Sequence, residues 1–257
     1  MIRQENCKIV SNRQIAKDIF ELVLEGELSA EMKQAGQFVH VKVADGFDPL
    51  LRRPISIASI NEGSYTIIYR RQGKGTSLLA GKTKGTTVDV LGPLGNGFPV
   101  DEAKQGQTAI LVGGGVGVPP MYELAKQLAR GGVNVITIIG FQSAQDVFYE
   151  KELAEFGEVY VATVDGSYGR KGFVTNVLDV LCLKADFLFA CGPTPMLRAL
   201  ENRNDARRTY LSLEERMGCG IGACFACVCH TKDDPHGFSY KKVCSDGPVF
   251  QAGEVVI

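Results

Sequence analysis

The stretch Ala109-Ile110-Leu111-Val112-Gly113-Gly114-Gly115-Val116-Gly117-Val118-Pro119-Pro120-Met121-Tyr122-Glu123-Leu124-Ala125-Lys126-Gln127-Leu128-Ala129-Arg130 reads as a strand, a glycine turn and a helix in immediate succession. Ala109–Val112 is a short apolar run of the kind a fully buried strand needs. Prolines at the helix entrance cost nothing, because the first N–H groups have no intrahelical partner, and Gly131-Gly132 supplies the stop. Met121, Leu124, Ala125 and Leu128 share one face at helical spacing. Further β-rich runs follow at Val133–Ile139, Val159–Thr163, Phe187–Cys191 and Tyr210–Leu213, alternating with helix-like segments. That βαβ grammar predicts a parallel sheet.

Upstream, the rhythm is different. Cys7–Val10, Ile19–Leu24, Phe38–Val43, Ile55–Ala58, Tyr65–Tyr69 and Thr87–Leu91 are short runs, several alternating with period two and punctuated by Gly, Asn or Pro. Six such runs predict a small antiparallel barrel, interrupted by one short helix after Gly75 where Thr76 or Ser77 caps Leu78-Leu79-Ala80. The polar stretch Asp101–Gln107 is the natural boundary. After Leu213 the periodicity dissolves into a Gly- and Cys-rich tail. The expected architecture is therefore an antiparallel β-barrel domain over 1–100, an α/β parallel-sheet domain over 101–211 and a small C-terminal loop domain over 212–257.

With 257 residues, 45% hydrophobic and 22% charged, the chain has ample material for buried cores and none of the character of a disordered or fibrous protein. Lys+Arg (28) and Asp+Glu (29) nearly cancel, and no basic block occurs, so neither nucleic acid nor an anionic membrane surface has an electrostatic footprint here. No run approaches 18 uninterrupted apolar residues, and Met1–Asn6 lacks the apolar segment of a signal peptide, which points to the cytoplasm. Of eight cysteines, Cys219, Cys224, Cys227, Cys229 and Cys244 crowd into 26 residues. In a cytosolic chain that crowding indicates metal ligation rather than a disulfide framework.

Cys219-x4-Cys224-x2-Cys227 followed by Cys244 has the plant-type spacing for a [2Fe-2S] cluster. Gly218, Gly220, Gly222, Ala223 and Ala226 are small enough for backbone to wrap closely, and glycine permits the positive φ that turns amide N–H groups toward sulfur. The alternative is a structural zinc site using Cys227, Cys229, His230 or His236, although zinc sites usually arrive as two C-x2-C-like pairs. A Rieske centre lacks its two histidine pairs. Cys229 is expected to be a strand residue facing away from the cluster, Cys7 and Cys182 to be plain buried thiols, and His40, His230 and His236 to be structural or exposed.

Arg53-Pro54-Ile55-Ser56 stands at one barrel run, and Gly73-Lys74-Gly75-Thr76-Ser77 opens the short helix after the next. Glycines at a helix entrance expose N–H groups to phosphate, and an arginine supplies a bidentate partner for the same anion. The glycine run at 113–117 follows a strand and precedes a helix, where a dinucleotide pyrophosphate can approach. It misses G-x-G-x-x-G, since Val118 stands at the third glycine, but fits G-G-G-x-G-x-x-P. Cys191-Gly192-Pro193 follows the fourth parallel strand, at the sheet edge where such folds bind ligands. Between Gly131 and Glu150 there is no Lys or Arg to meet a 2′-phosphate, which favours NAD over NADP; Asp146 is a candidate ribose partner.

The order of these motifs resembles the ferredoxin-reductase-like flavoproteins, in which an FAD barrel precedes a nicotinamide domain. With Leu211-Ser212-Leu213-Glu214-Glu215-Arg216-Met217-Gly218-Cys219-Gly220-Ile221-Gly222-Ala223-Cys224-Phe225-Ala226-Cys227 included, the chain resembles over essentially its whole length the electron-transfer subunits of NAD-linked, two-subunit (class 1B) dihydroorotate dehydrogenases. The tail is too short for the complete ferredoxin domain of dioxygenase reductases.

The resemblance implies FAD, a [2Fe-2S] cluster held by Cys219, Cys224, Cys227 and Cys244, and NAD as diffusible acceptor. It implies that Arg53, with Pro54 and Ile55 beside it, holds FAD phosphate, that Ser56 approaches the flavin ring, and that Gly75 and Thr76 cradle the pyrophosphate. Arg70, Arg71 and Gln72 would line the rest of that site. Gly113, Gly114, Gly115 and Gly117, with Gly192 and Pro193, would take the nicotinamide nucleotide. Ser56 and Cys191 are the expected residues at the reacting rings, Cys191 positioning rather than attacking. The superfamily's aromatic in Arg-x-Tyr-Ser is Ile55 here, so stacking on that flavin face is missing. The implied partner is an FMN-containing dihydroorotate-oxidising subunit, in a heterotetramer of two plus two serving pyrimidine synthesis. A reductase subunit serving a hydrogenase or oxygenase, and a non-catalytic redox sensor, are the other readings.

Overall fold

A computed structural model describes residues 1–257. Six strands, β1 (Arg3–Ala16), β2 (Ile19–Glu25), β3 (Phe38–Val41), β4 (Arg53–Asn61), β5 (Ser64–Arg70) and β6 (Thr87–Leu94), close into a barrel in the order β1-β2-β5-β4-β3-β6, every neighbour antiparallel. Period-two alternation turns Ile9, Leu22, Leu24, Val39, Val41, Ile57, Ile67 and Val90 into one apolar interior. The short helix α1 (Lys74–Ala80) follows β5, and its Leu79 plugs the barrel. All four residues of β3 are buried, because its outer face is covered by the rest of the protein.

The second region is a seven-stranded sheet. In chain order it comprises β7 (Thr108–Gly114), α2 (Val118–Arg130), β8 (Asn134–Phe141), α3 (Glu150–Ala154), β9 (Gly157–Thr163), β10 (Arg170–Lys171), α4 (Val174–Leu181), β11 (Ala185–Cys191), α5 (Thr194–Glu201) and β12 (Ala206–Ser212). With β15 (Val249–Gln251) from the tail, strand order is β10-β9-β8-β7-β11-β12-β15, parallel except at its last edge. Helix α2 forms over the segment its apolar spacing marked out, and buries Met121, Leu124, Ala125 and Leu128 between sheet and barrel. Truncating one of these leucines to alanine costs about 2–5 kcal/mol.

The C-terminal tail holds more regular structure than its composition signals. β13 (Val228–His230) and β14 (Tyr240–Lys242) form a two-stranded ribbon, and β15 (Val249–Gln251) adds to β12 as the antiparallel edge of the large sheet. Val243, Cys244, Phe250 and Val255 share a core with Leu188, Ala190 and Leu211 of that sheet, so the cysteine loop is sewn onto it. Cys7 is buried as expected, but Cys182 is exposed: it caps the end of α4 in a left-handed conformation (φ 48°), where the chain turns outward. No helix is long and apolar enough to cross a membrane.

Candidate functional site

Two clefts open where the barrel meets the sheet. The first, with a cavity volume of about 400 Å³, has walls from β4 (Arg53, Pro54, Ile55, Ser56), from the β5–α1 turn (Arg70, Gln72, Thr76) and from the chain after β12 (Glu214, Glu215, Met217). Its size suits an organic cofactor. Gly75 lies directly beneath the Arg53 side chain: a Cβ there would stand 2.8 Å from Nε and 2.9 Å from Nη2. Removing that carbon lets the guanidinium lie over the start of α1, where cation and free amides face the same anion. Thr76 Oγ1 donates to the Gln72 carbonyl at 2.8 Å and accepts from the Gln72 amide at 2.7 Å, which closes the turn. The residues present fit a flavin nucleotide.

Arg71 is the one expected flavin-site residue directed elsewhere. Alternation along the end of β5 sends it away from the cleft, where Nη2 meets Asp18 Oδ1 at 2.6 Å and the guanidinium covers the Phe20 ring. Arg70, one residue earlier, lines both clefts.

The second cleft, of about 450 Å³, is walled by Gly114, Gly115, Phe141, Gln142, Asp146, Phe173, Pro193 and Met196 among others, with Arg70 as its one cation. Gly115 (φ 53°) makes the turn out of β7. Gly113, Gly117 and Gly192 do not line this cleft and are closely packed behind it. A Cβ on Gly117 would sit 2.1 Å from the Cys191 carbonyl oxygen, and one on Gly192 2.6 Å from the Met196 methyl. Asp146 accepts from the Ser143 amide and hydroxyl at 3.1 and 2.9 Å, so its carboxylate is held on the cleft wall.

Cys191 ends β11 between Gly113 and Ser212, fully covered. Burial, reinforced by the nearby Glu214 charge, pushes its thiol far above the ordinary range, so it stays neutral and cannot act as a thiolate. Glu214, which sequence reasoning did not single out, lines the first cleft. It keeps solvent access through the mouth, while the surrounding protein raises its carboxyl above the ordinary carboxylate range. Its only sequence signal is its place just beyond β12.

Beyond that wall the cysteine loop arranges its sulfurs in two pairs: Cys219 with Cys224, and Cys227 with Cys244, each pair within side-chain hydrogen-bonding reach. No three His, Cys, Asp or Glu side chains gather about one point, as a mononuclear ion needs. Two thiolates for each of two irons is the donor set of a binuclear cluster. Amides turn inward: Cys224 N–H donates to Cys219 Sγ at 3.3 Å, and Gly222 N–H to Cys244 Sγ at 3.2 Å, the latter from a glycine at φ 81°. Burial opposes ionisation of Cys219, but the amides of Cys224, Ile221 and Ala223 outweigh it and bring the thiol down to about 6. Burial and the Cys227 contact push Cys244 up to about 12. Cys229 lies in β13 and directs its thiol to the Lys241 carbonyl at 3.5 Å, apart from the four.

Comparison with known proteins matches the two halves of this geometry. Residues 214–256 match the iron–sulfur cluster binding domain of dihydroorotate dehydrogenase B, and residues 111–202 the oxidoreductase NAD-binding domain. The chain is 60% identical over 259 residues to the dihydroorotate dehydrogenase B (NAD(+)) electron transfer subunit of Bacillus mycoides strain KBAB4, with 100% of both chains covered. It belongs to this family of electron transfer subunits. The Bacillus cereus (strain AH187) subunit is 59% identical over the same span. Among solved structures, an NADH-dependent reduced ferredoxin-NADP oxidoreductase studied for flavin-based electron bifurcation superposes with a TM-score of 0.85 at 30% identity, covering 97% of this chain and 89% of the other. The ferredoxin reductase of carbazole 1,9a-dioxygenase shares the fold, with a TM-score of 0.65 at 23% identity over 77% of this chain and 64% of its own. The subunit is accordingly an oxidoreductase component working with FAD, a [2Fe-2S] cluster and NAD, alongside a catalytic subunit.

Proposed function

We propose that this chain relays electrons from a dihydroorotate-oxidising, FMN-containing partner subunit to NAD+, in a cytoplasmic complex of two copies of each chain that serves pyrimidine synthesis. Residues 1–100 take FAD, 101–211 take NAD and 212–257 hold the cluster on Cys219, Cys224, Cys227 and Cys244. The observation that carries this reading is the junction itself: Arg70 belongs to both clefts, and Met217 on the flavin-side wall is two residues from Cys219.

The flavin, when bound, exchanges single electrons with the cluster and an electron pair, as hydride, with the nicotinamide. Arg53 would hold FAD phosphate over Gly75, and Gln72 and Thr76 shape the turn that would receive it. Pro54 and Ile55 form the wall beside the ring and bring Ser56 to its edge. Gly114, Gly115 and Pro193 leave space for the NAD backbone, while Gly113, Gly117 and Gly192 let α2, β7 and β11 approach closely enough to form that space. Cys191, neutral and buried beside Ser212 at the end of β11, would position the Gly192-Pro193 turn that follows it against the nicotinamide. Hydride transfer between stacked rings depends on distance and orientation rather than on an acid–base pair, and no such pair is needed here.

The test is composition and reactivity together. Co-purified with its partner, the chain should carry one flavin, two irons and two sulfides, and dihydroorotate should reduce NAD+. Alone, it should oxidise NADH with a dye acceptor yet form no orotate. Zinc in place of iron, or orotate formation by the chain alone, refutes the reading.

A further inference from the structure

His40 is the buried polar side chain that the relay leaves without a task. It has no exposed surface, and neither Nδ1 nor Nε2 makes a hydrogen bond of good geometry, the ring instead facing the backbone of Cys219 and of Arg52 at looser range. Buried polar atoms are nearly always paired, so a ring held against those two backbone groups points to a role in fixing them. Strand alternation puts His40 on the same outward face of β3 as Phe38, and it pairs across the sheet with Pro54 of β4; Phe38 and Pro54 both line the flavin-side cleft. On its other side the ring is pressed against the cysteine loop. A Cβ at Gly220 would lie 2.7 Å from His40 Nδ1, and Gly220, at φ 73°, follows Cys219 directly. The backbone behind the ring is also pinned: Arg52 Nη1 donates to the His40 carbonyl at 3.3 Å, and Arg52 Nη2 to Asp89 Oδ2 at 2.8 Å. One imidazole thus spans from the strand that carries Arg53–Ser56 to the residue beside a cluster ligand.

We propose that His40 is a positioning residue for the iron–sulfur centre: held against the Cys219 backbone, it ties Cys219-Gly220 to the flavin-binding strand and so keeps the loop's amides aimed at the cluster sulfurs, favouring the reduced state. Reduction adds negative charge, and a donor dipole held in a dry, low-dielectric setting stabilises that added charge. The proposal rests on the cluster assignment above, which iron and sulfide analysis of the wild-type protein tests separately.

The experiment is an anaerobic redox titration of the whole complex, followed by electron paramagnetic resonance, on wild type, His40→Leu and His40→Asn. His40→Leu should keep iron and flavin but shift the one-electron equilibrium about tenfold against cluster reduction, about 59 mV, with altered g-values. His40→Asn, which keeps an N–H donor, should recover most of that shift. Wild-type potential and spectrum in an iron-replete His40→Leu protein would overturn the proposal, as would an Asn variant displaced as far as the Leu one. If His40→Leu fails to hold iron, His40→Asn decides: iron-loaded with near-native potential supports the proposal, and iron-free overturns it.

Discussion

The barrel meets the rest of the chain at α2, at the segment between β8 and α3 through Lys17 and Glu21, and at the cysteine loop, and the first and last of these are built on opposite principles. At α2 the contact is broad and apolar, centred on Met121, Leu124, Ala125 and Leu128, with one ion pair inside it. Glu123 Oε2 and Lys126 Nζ stand 2.5 Å apart, both nearly fully buried, and together they pair both backbone groups of Ile60, the carboxylate accepting its N–H and the ammonium donating to its carbonyl. At the cysteine loop a smaller apolar patch around Phe38 and Leu94 is accompanied by hydrogen bonds to loop backbone carbonyls. Asn96 N–H donates to the Gly247 carbonyl at 2.7 Å, and Asn96 Nδ2 donates to the carbonyls of Ser245 and Asp246 at 3.0 and 3.1 Å. Gly95 and Gly220 allow these approaches. Many weak contacts at α2 yield in small steps, whereas a few fixed points at the loop hold or fail together.

The largest effect expected from that contrast is at the sulfurs. Cys244→Ser should abolish cluster assembly and bring partner-driven NAD+ reduction to background, because one iron loses half of its protein ligands. FAD content and NADH–dye activity should survive, since neither cleft is built on Cys244. Iron analysis and flavin absorbance of one preparation check both. Loss of flavin together with iron would show that the loop supports the barrel more than this contrast allows.

The α2 contact should respond by degree, and the ion pair is where to look. Glu123→Leu alone strands a buried ammonium and an unpaired Ile60 N–H, costing about 3–5 kcal/mol. Glu123→Leu with Lys126→Leu leaves no buried charge unpaired and should cost less than the single change, the remaining cost being the Ile60 N–H and C=O that lose their partners. Urea unfolding of Glu123→Leu, Lys126→Leu and the double variant completes the cycle; a double-variant cost equal to the sum of the two single costs would mean that the pair contributes no coupling. Gly117→Ala comes next, at about 3 kcal/mol, because its methyl would collide with the Cys191 carbonyl and force α2 off β11. Thermal unfolding reads it.

What the sequence made legible follows the same division. Period-two runs and βαβ alternation gave the barrel and the parallel sheet because each signal is local and repeats. Cysteine spacing gave the cluster because thiolate geometry constrains short separations. Burial of His40 was not legible, since it depends on a glycine 180 positions away folding back onto β3. The three-residue strand β15 was too short for any periodicity, and Cys182 sits in an apolar run yet faces outward because the chain turns left-handed there. Glu214 gave no pattern at all; only the closed cleft makes it notable.

Arg70 and Arg71 show the limit most sharply, and the smallest predicted effect concerns the second of them. Both follow the same strand and both carry the charge a nucleotide phosphate attracts, but one residue of alternation separates a cleft wall from the barrel's outer surface. Arg53→Ala should weaken FAD binding about ten- to hundredfold, the loss of a charge-assisted contact of about 1.5–3 kcal/mol. Arg71→Ala breaks a pair with Asp18 whose partners are each about 40–45% exposed, worth under about 1 kcal/mol, and uncovers the Phe20 ring. Flavin affinity of Arg71→Ala should therefore stay within about twofold of wild type, since a surface pair of this kind contributes little and touches no cofactor. Fluorescence titration of the flavin-stripped protein with FAD measures both variants, and a large loss at Arg71 would mean that the guanidinium leaves Asp18 and turns into the cleft when the cofactor binds.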